Sequence, residues 1–401
     1  MSLERILCIH NHYQQPGGED QVFAAETRLL EAYGHHVIRF TAHNDAIAQM
    51  GKLELAAATV WNRTIQEELR EVIRRERPDL VHFHNTFILI SPAAYYTAQA
   101  AGLPVVQTLH NYRLICPDAL LLRDQHLCSD CVGKRVPWPG VLHACYHNSR
   151  PQTAAIAAML ALHRLRGTYQ QQVDVFIALS AFSRQQFIAG GLPAEKIVVK
   201  PNFLHPDPGP RTGIGDYALF MGRLSPEKGL STMLEAWALR LDALGIPLKI
   251  AGDGPLMPDV QQMVQAHGLR HVDILGRRPH NEIVALLKQA RVLVFPSECY
   301  ENFSVALVEA FACGVPVVAA RLGSTATIVA DEQTGMHFAP GDAADLAAKL
   351  AVLWQQPERL ARLGQGARTA YETHYTAHQN YRRLRSIYEI AAARAHAVTK
   401  Q

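Results

Sequence analysis

Three stretches in the second half of the 401-residue chain place glycines or charged side chains where an apolar run gives way to a turn or a helix, positions at which backbone and side chains can meet a ligand. In residues 222–229, Gly222 and Gly229 enclose Arg223 and Lys228, between an apolar run and a segment of helical periodicity. Two cations at a helix entrance, with unpaired backbone N–H groups beside them, suit a diphosphate. Taken alone, a strand-to-helix turn with solvated basic residues reads the same way. The second stretch is Gly252, Asp253, Gly254 and Pro255, again at the end of an apolar run, where the glycines allow a close backbone approach. The third and strongest runs through Glu301, Asn302, Phe303 and Ser304 to Glu309 and Pro316. Its pattern predicts a helix opening near Asn302 or Phe303, with Glu301 at its mouth and Glu309 about two turns further on, both carboxylates facing one side. Such carboxylates can accept from sugar hydroxyls and a ribose diol. The plainer alternatives are a helix-dipole partner for Glu301 and surface charge for Glu309.

Short runs rich in Val, Ile and Leu must position these residues. In the first half they fall at 6–9, 36–40, 80–83, 104–109 and 175–179, and in the second at 217–221, 247–251, 272–275, 292–295 and 315–319. Segments of helical period separate them, which implies an α/β fold of two Rossmann-like, doubly wound parallel sheets. Prolines and glycines crowd residues 200–215, read as an interdomain linker about which the domains could close. The expected divisions are 1–203, 204–375 and a final helix, 376–401, that could return to the first domain. Beyond Asp342 only helices are expected. Ligands of such sheets bind beyond the carboxyl ends of the strands, so the site is expected in a central cleft.

Composition narrows the function classes. Hydrophobic residues at 48% against 19% charged can bury a large core, and a net charge of +3 is too small for a nucleic-acid partner. The longest purely apolar run, residues 154–162, is too short to span a bilayer, and polar residues break the N-terminal run before a signal segment could form. The expectation is a cytoplasmic protein, with the arginine runs Arg74, Arg75, Arg77 and Arg382, Arg383, Arg385 as candidate peripheral contacts with the inner face of a membrane. Cys116, Cys128, Cys131 and Cys145 form a C-x11-C-x2-C-x13-C pattern in an insertion spanning about 111–150. Four thiolates of this kind can close a structural zinc site, with His126, His143 or His147 as substitutes for one ligand, and four free cysteines in a loop are the alternative. Cys299 and Cys313 read as packing residues.

The order G-R-x4-K-G, then G-D-G-P, then E-x7-E followed by A-x-A-x-G-x-P-V resembles the nucleotide-sugar domain of GT-B glycosyltransferases, specifically the retaining family 4 enzymes of group 1 type. The resemblance covers both halves of the chain. It implies that Arg223 and Lys228 hold the diphosphate of a nucleotide-sugar donor, Glu301 the sugar hydroxyls and Glu309 the ribose. Gly252, Gly254, Asn302, Phe303 and Ser304 would line the donor, with Arg277 near the base. Ser304 departs from the family, which commonly has glycine there. The same resemblance sets Gly17 and Gly18 against the donor phosphate and makes His110, at the end of run 104–109, the active-site histidine. The implied reaction is metal-independent sugar transfer to a glycan or lipid-linked saccharide, and no enzymic nucleophile is evident. A nucleotide-sugar epimerase of the same fold and a non-catalytic saccharide-binding protein are the rival readings.

Overall fold

The structure is a computed structural model that describes residues 3–14 and 17–399. Two compact units are present: Met1–Arg123, Cys128–Asn202 and Asn380–Gln401 form unit 1, and Asp124–Leu127 and Phe203–Gln379 form unit 2.

Unit 1 holds strands β1 (Arg5–His12), β2 (His36–His43), β3 (Leu80–Asn85), β4 (Val105–Leu109), β5 (Val175–Ala178) and β6 (Ile197–Val199) in the order β2-β1-β3-β4-β5-β6. Every pairing is parallel, as where Ile6 meets Leu80 and Val106 meets Val175. Helix α1 (Gly18–Ala32) follows β1. Asp20 folds back at its start, its Oδ2 accepting from the Gly17 backbone N–H at 2.7 Å, which satisfies one of the groups a helix leaves open there. Val22, Phe23, Leu29 and Leu30 bury one face of α1, and Glu26 lies buried among them.

Unit 2 repeats the architecture with β7 (Tyr217–Met221), β8 (Leu248–Ala251), β9 (Val272–Gly276), β10 (Ala290–Phe295), β11 (Val317–Ala320) and β12 (Gly335–Phe338), ordered β9-β8-β7-β10-β11-β12 and parallel throughout. Its strands are apolar on both faces. Phe220, Ile250, Val294 and Val318 enter one core, while Leu219, Leu293, Val317 and Ala319 enter the other. This two-sided burial is why the central strands read as largely apolar runs. β6 and β12, absent from the expected strands, are both edge strands. β6 has three residues, and β12 (Gly-Met-His-Phe) lacks a continuous apolar run.

The stretch expected as a linker is anchored, not loose. Lys200 is buried in unit 1, and its Nζ lies 2.6 Å from Glu26 Oε2. Within unit 2, Asp207 takes both Nη atoms of Arg368 at 2.7 Å, and the Arg211 backbone N–H donates to the Cys313 carbonyl at 2.8 Å. Gly215 is the crowded glycine of this stretch, where a Cβ would meet the Ala290 carbonyl at 2.4 Å, whereas Gly209 and Gly213 have open space around them. Helix α2 (Val305–Ala312) follows β10, and α3 (Ala377–Thr399) ends the described chain. Leu384, Ile387, Tyr388 and Ala391 of α3 pack with Ile6, Cys8, Val106 and Ile177 of unit 1. Leu384→Ala should therefore cost about 2–5 kcal/mol of stability, measured by denaturant unfolding. A change under half a kcal/mol would show that α3 does not contribute to this core.

Candidate functional site

The strand order of unit 2 reverses direction between neighbours β7 and β10: from β7 the chain moves on to β8, and from β10 to β11 on the other side. Their carboxyl ends therefore release two diverging loops with a crevice between them. The first carries residues 222–229, and the second carries 296–304. Gly229, at φ 66°, turns the first loop into the helix Leu230–Ala236, and a Cβ there would sit 2.0 Å from the Pro296 carbonyl oxygen of the second. A Cβ on Gly252 would sit 1.8 Å from the Gly222 carbonyl oxygen, and one on Gly254 2.4 Å from that of Leu224. The close approach these glycines permit is thus one loop against another.

Lys228 and Glu301 meet across this junction. Lys228 Nζ lies 2.6 Å from Glu301 Oε1, which also accepts from Ser297 Oγ at 2.7 Å. The pair is half-shielded, with side-chain exposures of 24% and 14%. Burial opposes both charges, yet the mutual attraction outweighs it: Lys228 is held above its ordinary range, and Glu301 below its own. The expected helix start is corrected. α2 begins at Val305 behind Ser304 as its N-cap, because the chain first makes a turn in which the Glu301 N–H donates to the Cys299 carbonyl. Glu301 therefore precedes the helix and does not share a face of it with Glu309, which lies in α2. Asn302 is buried, Phe303 packs toward Tyr375 with ring centroids 6.2 Å apart, and Arg223 and Arg277 are exposed. Ser297, whose hydroxyl fixes Glu301, carried no motif signal.

In unit 1, His110 follows β4 and Gly17 caps α1, with Gly18 as its first residue; residues 15 and 16 of that loop lie outside the described residues. His110 Nε2 is 3.1 Å from His84 Nδ1, and the two rings stack. Around them stand side chains without a sequence motif. His10 Nε2 and His12 Nδ1 both lie 2.9 Å from Asp20 Oδ1, and Asn111 donates to Glu19 at 2.5 Å. Glu26 was detectable, since it sits four residues after Val22 and three before Leu29, on the apolar face of α1.

The four clustered cysteines are reduced, as are Cys8, Cys299 and Cys313, which are buried. Backbone N–H groups of Asp118 and Leu121 point to the Cys116 sulfur, and that of Gly140 to Cys131. The donor set suits zinc, but the spacing is wider than a closed centre. Among the described residues, the groups with three ligand atoms within 4.8 Å of one another are His10, His12, Asp20 and Glu26, His82, His84, and the thiols form no such group. Sulfurs bound at 2.3 Å around one zinc would stand about 3.8 Å apart. Several of the arginines considered for membrane contact are paired along their helices, Arg74 with Glu71, Arg75 with Glu76 and Arg385 with Glu389. No helix among the described residues is long and apolar enough to cross a membrane.

Glu309 is the most displaced carboxyl of the donor set. Burial pushes it up to about 7, with His280 Nδ1 3.4 Å away. A carboxyl raised in the folded state favours folding at low pH, and that contribution is lost as pH rises from 4.5 through 7. Glu309→Gln should therefore gain stability relative to the parent between pH 5 and pH 8, by on the order of 3 kcal/mol at most. Equal differences at both pH values in denaturant unfolding would refute this.

Two family profiles match in succession: "Glycosyltransferase Family 4" over residues 16–207 and "Glycosyl transferases group 1" over residues 211–370. An uncharacterized glycosyltransferase of Methanocaldococcus jannaschii is 31% identical over 156 residues, 38% of this chain and 43% of that protein. The D-rhamnosyltransferase WbpZ of Pseudomonas aeruginosa is 32% identical over 163 residues, 40% of this chain and 42% of that protein. The matches thus span less than half the length of these two relatives. In fold, the chain is similar to HepE of Anabaena, solved in complex with UDP, with a TM-score of 0.69 and 18% identity over 95% of this chain and 98% of that one. With two doubly wound parallel-sheet units and both profiles matched in order, the chain belongs to the group 1, family 4 glycosyltransferases of the GT-B fold.

Proposed function

We propose that this protein is a retaining glycosyltransferase that moves a sugar from a nucleoside-diphosphate donor to a hydroxyl acceptor in the synthesis of a cell-surface polysaccharide or lipid-linked glycan. The observation that carries this reading is the Lys228–Glu301 pair at the crevice between β7 and β10. The donor diphosphate displaces Glu301 from Lys228 and takes the ammonium, with Arg223 beside it. Freed from its partner, Glu301 turns to the hydroxyls of the sugar, and Glu309 accepts from the ribose. As the bond from the anomeric carbon to the diphosphate oxygen breaks, negative charge gathers on the leaving group. Fixed cations and the N-terminus of α2 stabilise it there, in place of a divalent ion. The acceptor hydroxyl oxygen then bonds to the same face, and its proton passes to the departing diphosphate oxygen. HepE, a fold relative, has been solved with UDP and with UDP-glucose, and WbpZ is a rhamnosyltransferase, which supports a nucleotide-sugar donor without choosing the sugar. In this reading the protein works on the cytoplasmic side of the membrane.

Lys228→Ala should lower kcat/KM by about 10²–10³ while the fold, checked by circular dichroism, persists. UDP-, GDP- and ADP-sugars titrated in EDTA should include one that binds undiminished. Wild-type turnover in the variant, or binding abolished by chelator, would defeat the reading. Conversion of the donor alone, without acceptor, would favour an epimerase instead.

We also propose that Cys116, Cys128, Cys131 and Cys145 draw together around a structural zinc ion. The support is the N–H groups aimed at two of the sulfurs and the sparse regular structure between Cys116 and Cys145, where the longest helix is Trp138–Leu142. The full chain should carry one zinc per molecule by elemental analysis, and a strong chelator should open this segment to protease. Four thiols that react freely in the native protein, with no metal released, would dispose of the site.

A further inference from the structure

Beneath His110 lies a line of polar groups, deep in unit 1, that no step above uses. His84 Nδ1 faces His110 Nε2 at 3.1 Å, and on its other side His84 Nε2 faces Glu26 Oε1 at 3.5 Å. Glu26 Oε2 in turn holds Lys200 Nζ at 2.6 Å. His84, Glu26 and Lys200 are each no more than 2% exposed. His84 Nε2 and Glu26 Oε1 are both buried without a hydrogen-bond partner, and the 3.5 Å between them leaves each as the unmet complement of the other. His82 Nδ1 also stands 3.5 Å from Glu26 Oε1, but both of its ring nitrogens already have closer partners, Tyr388 Oη at 2.8 Å and Thr108 Oγ1 at 2.7 Å. Glu26, His82 and His84 also have the spacing of a metal triad, but the Lys200 ammonium already supplies the cation there.

From this geometry we infer that Glu26 and Lys200 are positioning residues that fix, through His84, which nitrogen of His110 carries its proton. Burial first, and then the neighbouring His10 of β1, His82 of β3 and Lys200 after β6, hold both histidines neutral at pH 7, and on His110 they outweigh the opposite pull of Asp20 of α1. A neutral imidazole has one N–H and one bare nitrogen. The carboxylate of Glu26, paired with Lys200, only accepts, so the His84 proton sits on Nε2 and its Nδ1 is bare. His110 must then donate from Nε2 into that lone pair. Its Nδ1 is left as the acceptor, the atom that can receive a hydrogen bond from a sugar hydroxyl. A free imidazole would divide itself between the two forms, whereas this line selects one before any ligand arrives.

This inference rests on the proposed function only for the use made of His110; the tautomer is a property of the free protein. The test is long-range proton–nitrogen correlation NMR on full-length protein labelled with 15N-histidine, with the His110 signals assigned by their loss in His110→Gln. The parent should show His110 protonated at Nε2. Glu26→Gln keeps the shape but inverts the logic: the amide oxygen turns to Lys200, its NH2 donates to His84 Nε2, and both histidines should switch to the Nδ1–H form. A His110 protonated at Nδ1 in the parent would overturn the inference with no variant needed, and so would an unchanged tautomer in folded Glu26→Gln. Kinetics separate this from the functional reading. With the tautomer switched, kcat should fall about tenfold with donor KM little changed, the pattern of an interaction gained in the transition state. A switched tautomer with undiminished turnover would uphold the relay and remove His110 from the reaction.

Discussion

Two opposite charges held 2.6 Å apart, Lys228 on one loop and Glu301 on another, are the constraint around which the donor side of this protein is arranged. Neither could be fixed by its own segment, since Lys228 ends a single 3-10 turn, Pro226–Lys228, and Glu301 sits on an irregular loop. What fixes them is the reversal of strand order between β7 and β10, which brings the loop ends side by side, and glycines that let the loops press together. The pair is partly screened by water and its net worth to folding is small, since desolvation cancels much of the attraction. Its value is placement. A cation already partly desolvated and aimed needs little reorganisation when a diphosphate replaces the carboxylate.

The Glu26–Lys200 pair is a different case, sealed from solvent on both sides. Removing one member would strand a charge in a low-dielectric interior, which is costly, whereas an apolar pair of similar volume could fold as well or better. Two charges buried in this position have a use beyond stability in the relay to His110 inferred above, that of directing an imidazole.

Much of the fold was legible because the inner strands of both sheets are buried on both faces, so they announced themselves as apolar runs with helical periodicity between. What escaped notice had physical reasons. The edge strands β6 and β12 are short or broken in pattern, and the helix after β10 starts later than its composition suggests because Glu301 is engaged by Lys228 and Ser297 instead of entering the first turn. The donor motif was readable because its residues lie close in sequence. Lys228 and Glu301 are 73 positions apart, however, and their direct contact was not anticipated. The line behind His110 draws on α1, β3 and the residue after β6, and only Glu26, a charge on an apolar helix face, gave a local sign.

The final helix places residues from opposite ends of the sequence in one core, with His82 and Tyr388 in contact across 306 positions. A ribosome delivers unit 2 almost whole before it delivers α3. The first unit to be translated must therefore wait with Ile6, Cys8 and Val106 uncovered while the second has every residue it needs to fold. Synthesis order and completion order are reversed, and nascent chains stalled before Asn380 would expose an apolar surface for chaperones to shield.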